Sequence, residues 1–155
     1  MRPVLSFRNA QRTRTLNVPL LRRATRHLLE KELGIGHYDL GFRFVDSAEM
    51  AQVNERFLQH SGSTDVITFD YCDDAPDAAL HGEIVVSIAD AVRQAREFRT
   101  TWQSEVVRYI IHAVLHLRGH DDRTPAARKL MKREENRLLK CIESKFAMRQ
   151  RACKS

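Results

Sequence analysis

Cysteine is scarce in this chain: Cys72, Cys141 and Cys153 are its three, and none stands in a C-x-x-C pair. An odd number of isolated thiols argues against a disulfide framework and for a reducing compartment. Long apolar runs are missing too. No stretch approaches the roughly 20 residues of a membrane span, and Arg8 interrupts any apolar signal core at the start of the chain. Tryptophan occurs once, as Trp102, so aromatic platforms for stacked single-stranded bases are few. Internal repeats and linker-like segments are absent. These absences exclude a disulfide scaffold, a membrane-spanning protein and a repeat array. What remains is a cytoplasmic protein with a single domain expected over residues 1–147 and a basic tail over 148–155.

The 155 residues are enough to bury a core, and 43% apolar against 30% charged residues is the balance of a folded chain. Lysine and arginine number 26 against 20 acids, a formal charge of +6. Most of that excess is arginine, which favours bidentate phosphate contacts and tilts the expected partner toward nucleic acid. Two basic groups stand out: Arg12, Arg14, Arg22, Arg23 and Arg26 early, then Lys129, Lys132, Arg133, Arg137 and Lys140 late. Each also reads as an ordinary solvated face, and Glu134, Glu135 and Glu143 dilute the second.

Periodicity predicts an α+β fold of about four short strands mixed with helices. Val4 to Arg8 alternates as a strand. Pro19 suits the first turn of a helix whose apolar face carries Leu20, Leu21, Ala24, Leu28, Leu29 and Leu33, with Gly34 as its stop. Tyr38, Leu40, Phe42 and Phe44 alternate as a half-buried strand, and Asp46 or Ser47 caps a short helix with Met50, Val53 and Phe57. Strands follow at Asp65 to Phe69 and Gly82 to Ser87, separated by an acidic loop from Cys72 to His81. A helix with Ile88, Ala91, Val92, Ala95 and Phe98 on one face comes next, then a helix capped by Thr100 or Thr101. Thr124-Pro125 opens a last helix with Ala127, Leu130, Met131, Leu138 and Ile142 inward.

The chemistry concentrates in His112, His116 and Asp122. Histidines four apart on a helix share one face, with Cβ atoms about 5–6 Å apart, close enough to reach one metal ion. Tyr109, Ile110, Ile111, Val114, Leu115 and Leu117 make that helix apolar nearly all round, hence buried. Buried imidazoles need polar partners, which a metal or a satisfied core pair would supply. Gly119 then breaks the helix and brings Asp122 back as third donor. If the helix ran on, His120 would take that place at i+4 from His116. A third alternative leaves both as solvated turn residues. Two helical donors and one from the next turn leave a coordination position open, the mark of a catalytic metal. The pattern H-x-x-x-H-x-x-G-x-x-D is the ligand skeleton of several zinc hydrolases. The peptidase form needs glutamate after the first histidine as its base. Ala113 stands there, which counts against a peptidase.

The stretch from His112 to Asp122 resembles the YbeY family of bacterial metal-dependent endoribonucleases, which reads H-G-x-L-H-L-x-G-[YH]-D-H. Thr64-Asp65-Val66-Ile67-Thr68-Phe69 is similar to that family's T-[DN]-V-[LI]-[ST]-F strand. Asn54-x-x-Phe57 matches N-x-x-[YF], and Gly82-Glu83-Ile84 matches G-[DE]-I, all in the family's order. The resemblance implies a single-strand endoribonuclease acting in ribosomal RNA maturation, at the 3′ end of the small-subunit RNA, and in ribosome quality control. It implies partners as well: that RNA, a small-subunit ribosomal protein and an Era-type GTPase, with no membrane and no DNA specificity. A ribosome assembly factor with a structural metal is the alternative. The chain departs from the family at two positions. Asp122 stands where the family has its third histidine ligand, and Leu58 where many members have a phosphate-facing arginine. A His-His-Asp set carries one more negative charge than three histidines, which suits zinc and tolerates harder ions such as manganese, with nickel a further alternative. Arg56 is a replacement for the arginine missing at Leu58, and Asp121, Asp122 or Asp70 is the proton acceptor. The catalytic residues stay unassigned.

Overall fold

The computed structural model describes residues 3–58, 65–71 and 79–148, with the side chains of residues 57 and 58 set aside. Several sequence expectations lie outside the described residues: those for Thr64, Cys72, Cys153, the side chains of Phe57 and Leu58, the loop at 59–63 and the tail at 149–155.

Alternating apolar residues build a four-stranded mixed sheet. The strands are β1 (Val4–Ala10), β2 (Tyr38–Val45), β3 (Val66–Asp70) and β4 (Leu80–Ser87), in the order β1-β2-β4-β3. β1 and β4 run parallel to β2, while β3 runs antiparallel to β4 and forms one edge. Side chains alternate across the sheet as the period-2 pattern requires. Leu40, Phe42, Phe44, Ile84 and Val86 face the main core. Val45, Val85 and Ile67 face the opposite side, with Met50 and Val53 packed on them.

The helices are α1 (Val18–His27), α2 (Ser47–Leu58), α3 (Ile88–Phe98), α4 (Trp102–Leu117) and α5 (Pro125–Lys145). Their starts are written in cap chemistry. The side chains of Asn17, Asp46, Ser87, Thr101 and Thr124 accept from backbone N–H groups three residues on. Of the two threonines that could cap α4, Thr101 does so, and Thr100 instead donates to Glu105 at 3.0 Å. Helix α2 packs over the Val85 face, while α1, α3, α4 and α5 contribute to the main core. Among the described residues, no helix is long and apolar enough to cross a membrane.

The structure corrects four expectations. The first helix does not run unbroken to Gly34: α1 passes into a π-helical turn at Leu28–Glu32, where the Leu33 N–H reaches Leu28 O at 3.0 Å. That wider turn keeps Leu28 and Leu29 both in the core. β4 begins at Leu80, inside the segment expected to be loop, because parallel pairing with Tyr38 holds it there. Leu130 is 56% exposed, since the inward face of α5 is set by Met131, Glu135, Leu138 and Ile142. Phe98, expected inward on α3, is 62% exposed. It is the last residue of that helix, before Arg99 turns the chain with φ +56°, and it projects past the packed part of the helix.

Gly82 joins the sheet to helix α4. A Cβ there would lie 2.6 Å from Phe69 O and 3.1 Å from Leu117 Cδ2. The bare backbone lets β3, β4 and the end of α4 close together. Gly82→Ala should therefore cost about 1–3 kcal/mol in urea denaturation. Gly36→Ala, whose Cβ meets nothing within 4 Å, should change stability by less than about 0.5 kcal/mol.

Candidate metal centre

Helix α4 is enclosed by β4, β3, α3 and α5. From Ser104 to Leu115 all but two residues are buried, and the two are Arg108 and His112. His116 follows one turn later, also half-buried. Positions 108, 112 and 116 repeat at i, i+4 and make one stripe along the helix. Burial of the apolar residues around that stripe fixes which way the histidines point.

The helix ends as glycine dictates. Gly119 has φ +100°, the His120 N–H donates to Leu115 O at 3.0 Å, and the Gly119 N–H donates to His116 O at 3.0 Å. This pair of bonds is a Schellman closure. It stops α4 at Leu117, so His120 does not continue the stripe, and the reversed chain brings Asp122 over the histidines. One donor atom each from His112, His116 and Asp122 lies within 4.8 Å of the others, and His120 is not in the group.

The two imidazoles meet edge to face, with centroids 4.6 Å apart and rings inclined at 78°. Their Nε2 atoms are 3.1 Å apart, and Asp122 Oδ2 is 3.8 Å from His116 Nε2. Two nitrogens on one tetrahedral zinc, bonded at about 2.0–2.1 Å, would be separated by about 3.3–3.4 Å. The observed spacing thus fits a shared ion. His112 Nδ1 donates to Glu135 Oε2 at 2.5 Å, which places its lone pair on Nε2, facing His116. Burial first, then neighbouring His112, pushes the His116 imidazole below its usual value of 6.5, with Asp122 opposing. A divalent cation between the rings would satisfy lone pairs on both. The His-His-Asp group is able to hold a metal ion.

Glu135 is the residue that sequence reasoning missed. Counted there as a diluting charge on α5, it is 5% exposed and turned inward. Its other oxygen lies 3.6 Å from Arg108 Nη1, and Arg108 Nη1 also donates to Asn136 Oδ1 at 2.8 Å. A carboxylate behind a metal-facing histidine orients the ring and raises its basicity. The available signal was its spacing: Met131, Glu135, Leu138 and Ile142 repeat at three and four along the inward face of α5.

Comparison with known proteins places this arrangement. A family model described as Endoribonuclease YbeY matches residues 6–143. The chain belongs to the YbeY family. The Endoribonuclease YbeY of Bacteroides fragilis is 34% identical over 110 residues, covering 71% of this chain and 74% of that protein. That of Chlorobium phaeovibrioides is 33% identical over 129 residues, covering 83% and 84%. That of Salinibacter ruber is 29% identical over 144 residues, covering 89% and 91%. The solution structure of TM1509 from Thermotoga maritima shares the fold, with TM-score 0.66 and 22% identity over 96% of this chain and 99% of that one.

Two hollows flank the centre of this YbeY chain. One, about 420 Å³, runs along β3 and is lined by Asp65, Thr68, Asp70, His116 and Asp122 among others. The other, about 700 Å³, lies between α3, α4 and α5 and includes Phe98, Arg108, His112, Asp122, Lys129 and Lys132. His112, Asp122, Asp65 and Val66 line both. Asp70 and Asp122 both line the β3 hollow. The Asp121 carboxylate instead accepts from the Arg123 N–H at 3.1 Å. Arg56, on α2, lines neither hollow. The cations beside the centre are Arg108 and Arg128, the latter donating to Asp122 O at 3.1 Å.

Replacing Glu135 by glutamine keeps the volume and removes the charge behind His112. Glu135→Gln should lower metal affinity about 10–100-fold in competition with a chromophoric chelator, with the circular dichroism spectrum unchanged. The His116 shift makes a separate prediction. A lowered folded value means that the unfolded chain binds more protons near and below 6.5, so this contribution to stability is present above that value and is lost on acidification. In chelator, the urea midpoint should fall between about pH 7.5 and about pH 5.5, and should fall less in His116→Asn.

Proposed function

We propose that this chain is a metal-dependent endoribonuclease that hydrolyses phosphodiester bonds of single-stranded RNA. The observation that carries the reading is the pair of Nε2 atoms 3.1 Å apart, with Asp122 above them and Glu135 behind. Three protein donors leave room for water or substrate at the ion, the arrangement of catalytic rather than closed structural sites. Membership of the YbeY family supports RNA as substrate.

In this reading His112, His116 and Asp122 hold one divalent ion, zinc by donor chemistry with manganese or nickel as substitutes. When bound, such an ion lowers the pKa of a coordinated water and polarises a phosphoryl oxygen. The chain's own residues do the rest. Glu135 orients His112 through Nδ1. Asp70 or Asp122 takes the proton from the attacking water, as both border the β3 hollow beside His116. Arg108 and Arg128 offset charge on the phosphate and replace the cation lost at Leu58. Ala113 is fully buried and offers no peptidase base. The cellular substrate is ribosomal RNA, at the 3′ end of the small-subunit RNA, in maturation and quality control in the cytoplasm. A small-subunit ribosomal protein and an Era-type GTPase are its partners.

Elemental analysis after metal-supplemented purification tests the centre. The parent and His120→Ala should hold about one ion per chain, while His116→Ala and Asp122→Ala should lose it. Cleavage of a structured RNA should follow metal content and stop in chelator. Equal cleavage by the parent and Asp122→Ala would trace the activity to a contaminant.

A further inference from the structure

The two hollows beside the centre differ in charge. The lining of the β3 hollow carries Asp65, Asp70 and Asp122 and no lysine or arginine among the described residues. The α3–α5 groove shares Asp65 and Asp122 with that hollow, and its own further acids, Glu105 and Glu135, are buried and committed. Glu105 accepts from Thr100, and Glu135 from His112. The cations it shows to solvent are Arg128, beside the centre, and Lys129 and Lys132, all exposed. Lys129 and Lys132 have no ion pair or hydrogen bond among the described residues.

Arg128 closes the first turn of α5, where the helix dipole places about half a positive charge and favours acids, and Lys129 and Lys132 follow it. That first turn contains no acid. A helix start without acids and with three cations beside it concentrates positive potential on one wall of the groove, and local preferences are broken in this way where a ligand is to be met. Across the groove stands Phe98, 62% exposed at the end of α3. The volume, about 700 Å³, is within the about 300–1,000 Å³ range of ligand pockets.

The geometry points to the α3–α5 groove as the track for single-stranded RNA on one side of the scissile phosphate. Its phosphates lie on Arg128, Lys129 and Lys132, and a base stacks on Phe98. The inference rests on the ribonuclease reading above and deepens it: the strand runs from the ion into the basic groove and not along the acidic β3 hollow. An aromatic face takes any base, so the groove selects for unpaired strands and not for sequence. A base held in a duplex cannot present its face to Phe98, which gives the single-strand preference a physical source.

Fluorescence anisotropy tests this with metal-loaded full chain and a phosphorothioate RNA that resists cleavage, offered as a single strand and as a duplex. Phe98→Ala should weaken single-strand binding about tenfold, leave duplex binding within about twofold, and keep its metal. Phe98→Tyr should bind as the parent does. Lys129→Ala and Lys132→Ala should each lower the slope of log affinity against log salt by about 0.7. Thermal melts establish that the exposed substitutions leave folding intact. Single-strand binding by Phe98→Ala equal to the parent's, or salt slopes unchanged in the lysine variants, overturns the groove. If the parent cleaves RNA while these variants bind like it, the groove fails and the nuclease reading stands. If binding depends on Phe98 and the lysines but metal-loaded parent does not cleave, the groove stands and the nuclease reading fails.

Discussion

The near-complete enclosure of α4 is the constraint on which the centre depends. Ile110, Ile111, Val114 and Leu115 are each at most 2% exposed, so the rotation of that helix is set by apolar packing on several sides. The histidines inherit their direction from it. A catalytic geometry must be held within a fraction of an ångström, and a helix gripped all round holds it better than a loop does. Asp122 is the contrast. It comes from a loop and its side chain is half exposed, so the helix supplies rigidity and the loop supplies access.

Glu135 carries two duties with one carboxylate. One oxygen holds His112 and the other faces Arg108, so a candidate metal donor and a cation of the α3–α5 groove share a single buried anchor. A buried charge is tolerable only with such partners. The sharing also ties α5 to α4 at the level of His112. Anything that shifts α5, the helix carrying the basic wall of the groove, is felt at His112.

Much of this was legible in the sequence, for identifiable reasons. Strict alternation in Tyr38 to Phe44 could satisfy only a strand with one face in a core. Histidines four apart on an apolar helix, followed by glycine, could be read directly, because helix period and glycine's left-handed conformation are local rules. Gly119 favoured Asp122 over His120 in the sequence, and the Schellman bonds show the helix stopping where that choice required. Three features were hidden because they are tertiary. Glu135 reads as a surface charge until α5 is docked on α4. Phe98 reads as a core residue because periodicity does not say where the neighbouring helices end. Leu130 fails for a related reason: on a helix of mixed composition, an apolar residue adjacent to the true seam looks like part of it.

Gly119 has a further consequence, in the kinetics of assembly. By reversing the chain directly after His116, it makes the donors and Glu135 part of one contiguous helix–loop–helix, α4 to α5. The donors lie within ten residues of one another and His112 lies 23 from Glu135, closer in sequence than the strands that pair in the sheet, so somewhat less entropy is lost in closing that loop. The sheet is built otherwise: β1 on β2 and β2 on β4 are parallel pairings that must be joined through distant crossovers. Long-range pairing of this kind is the slow search in folding. The candidate donor set therefore lies in the more quickly explored part of the chain, and the sheet that supports it in the more slowly explored part.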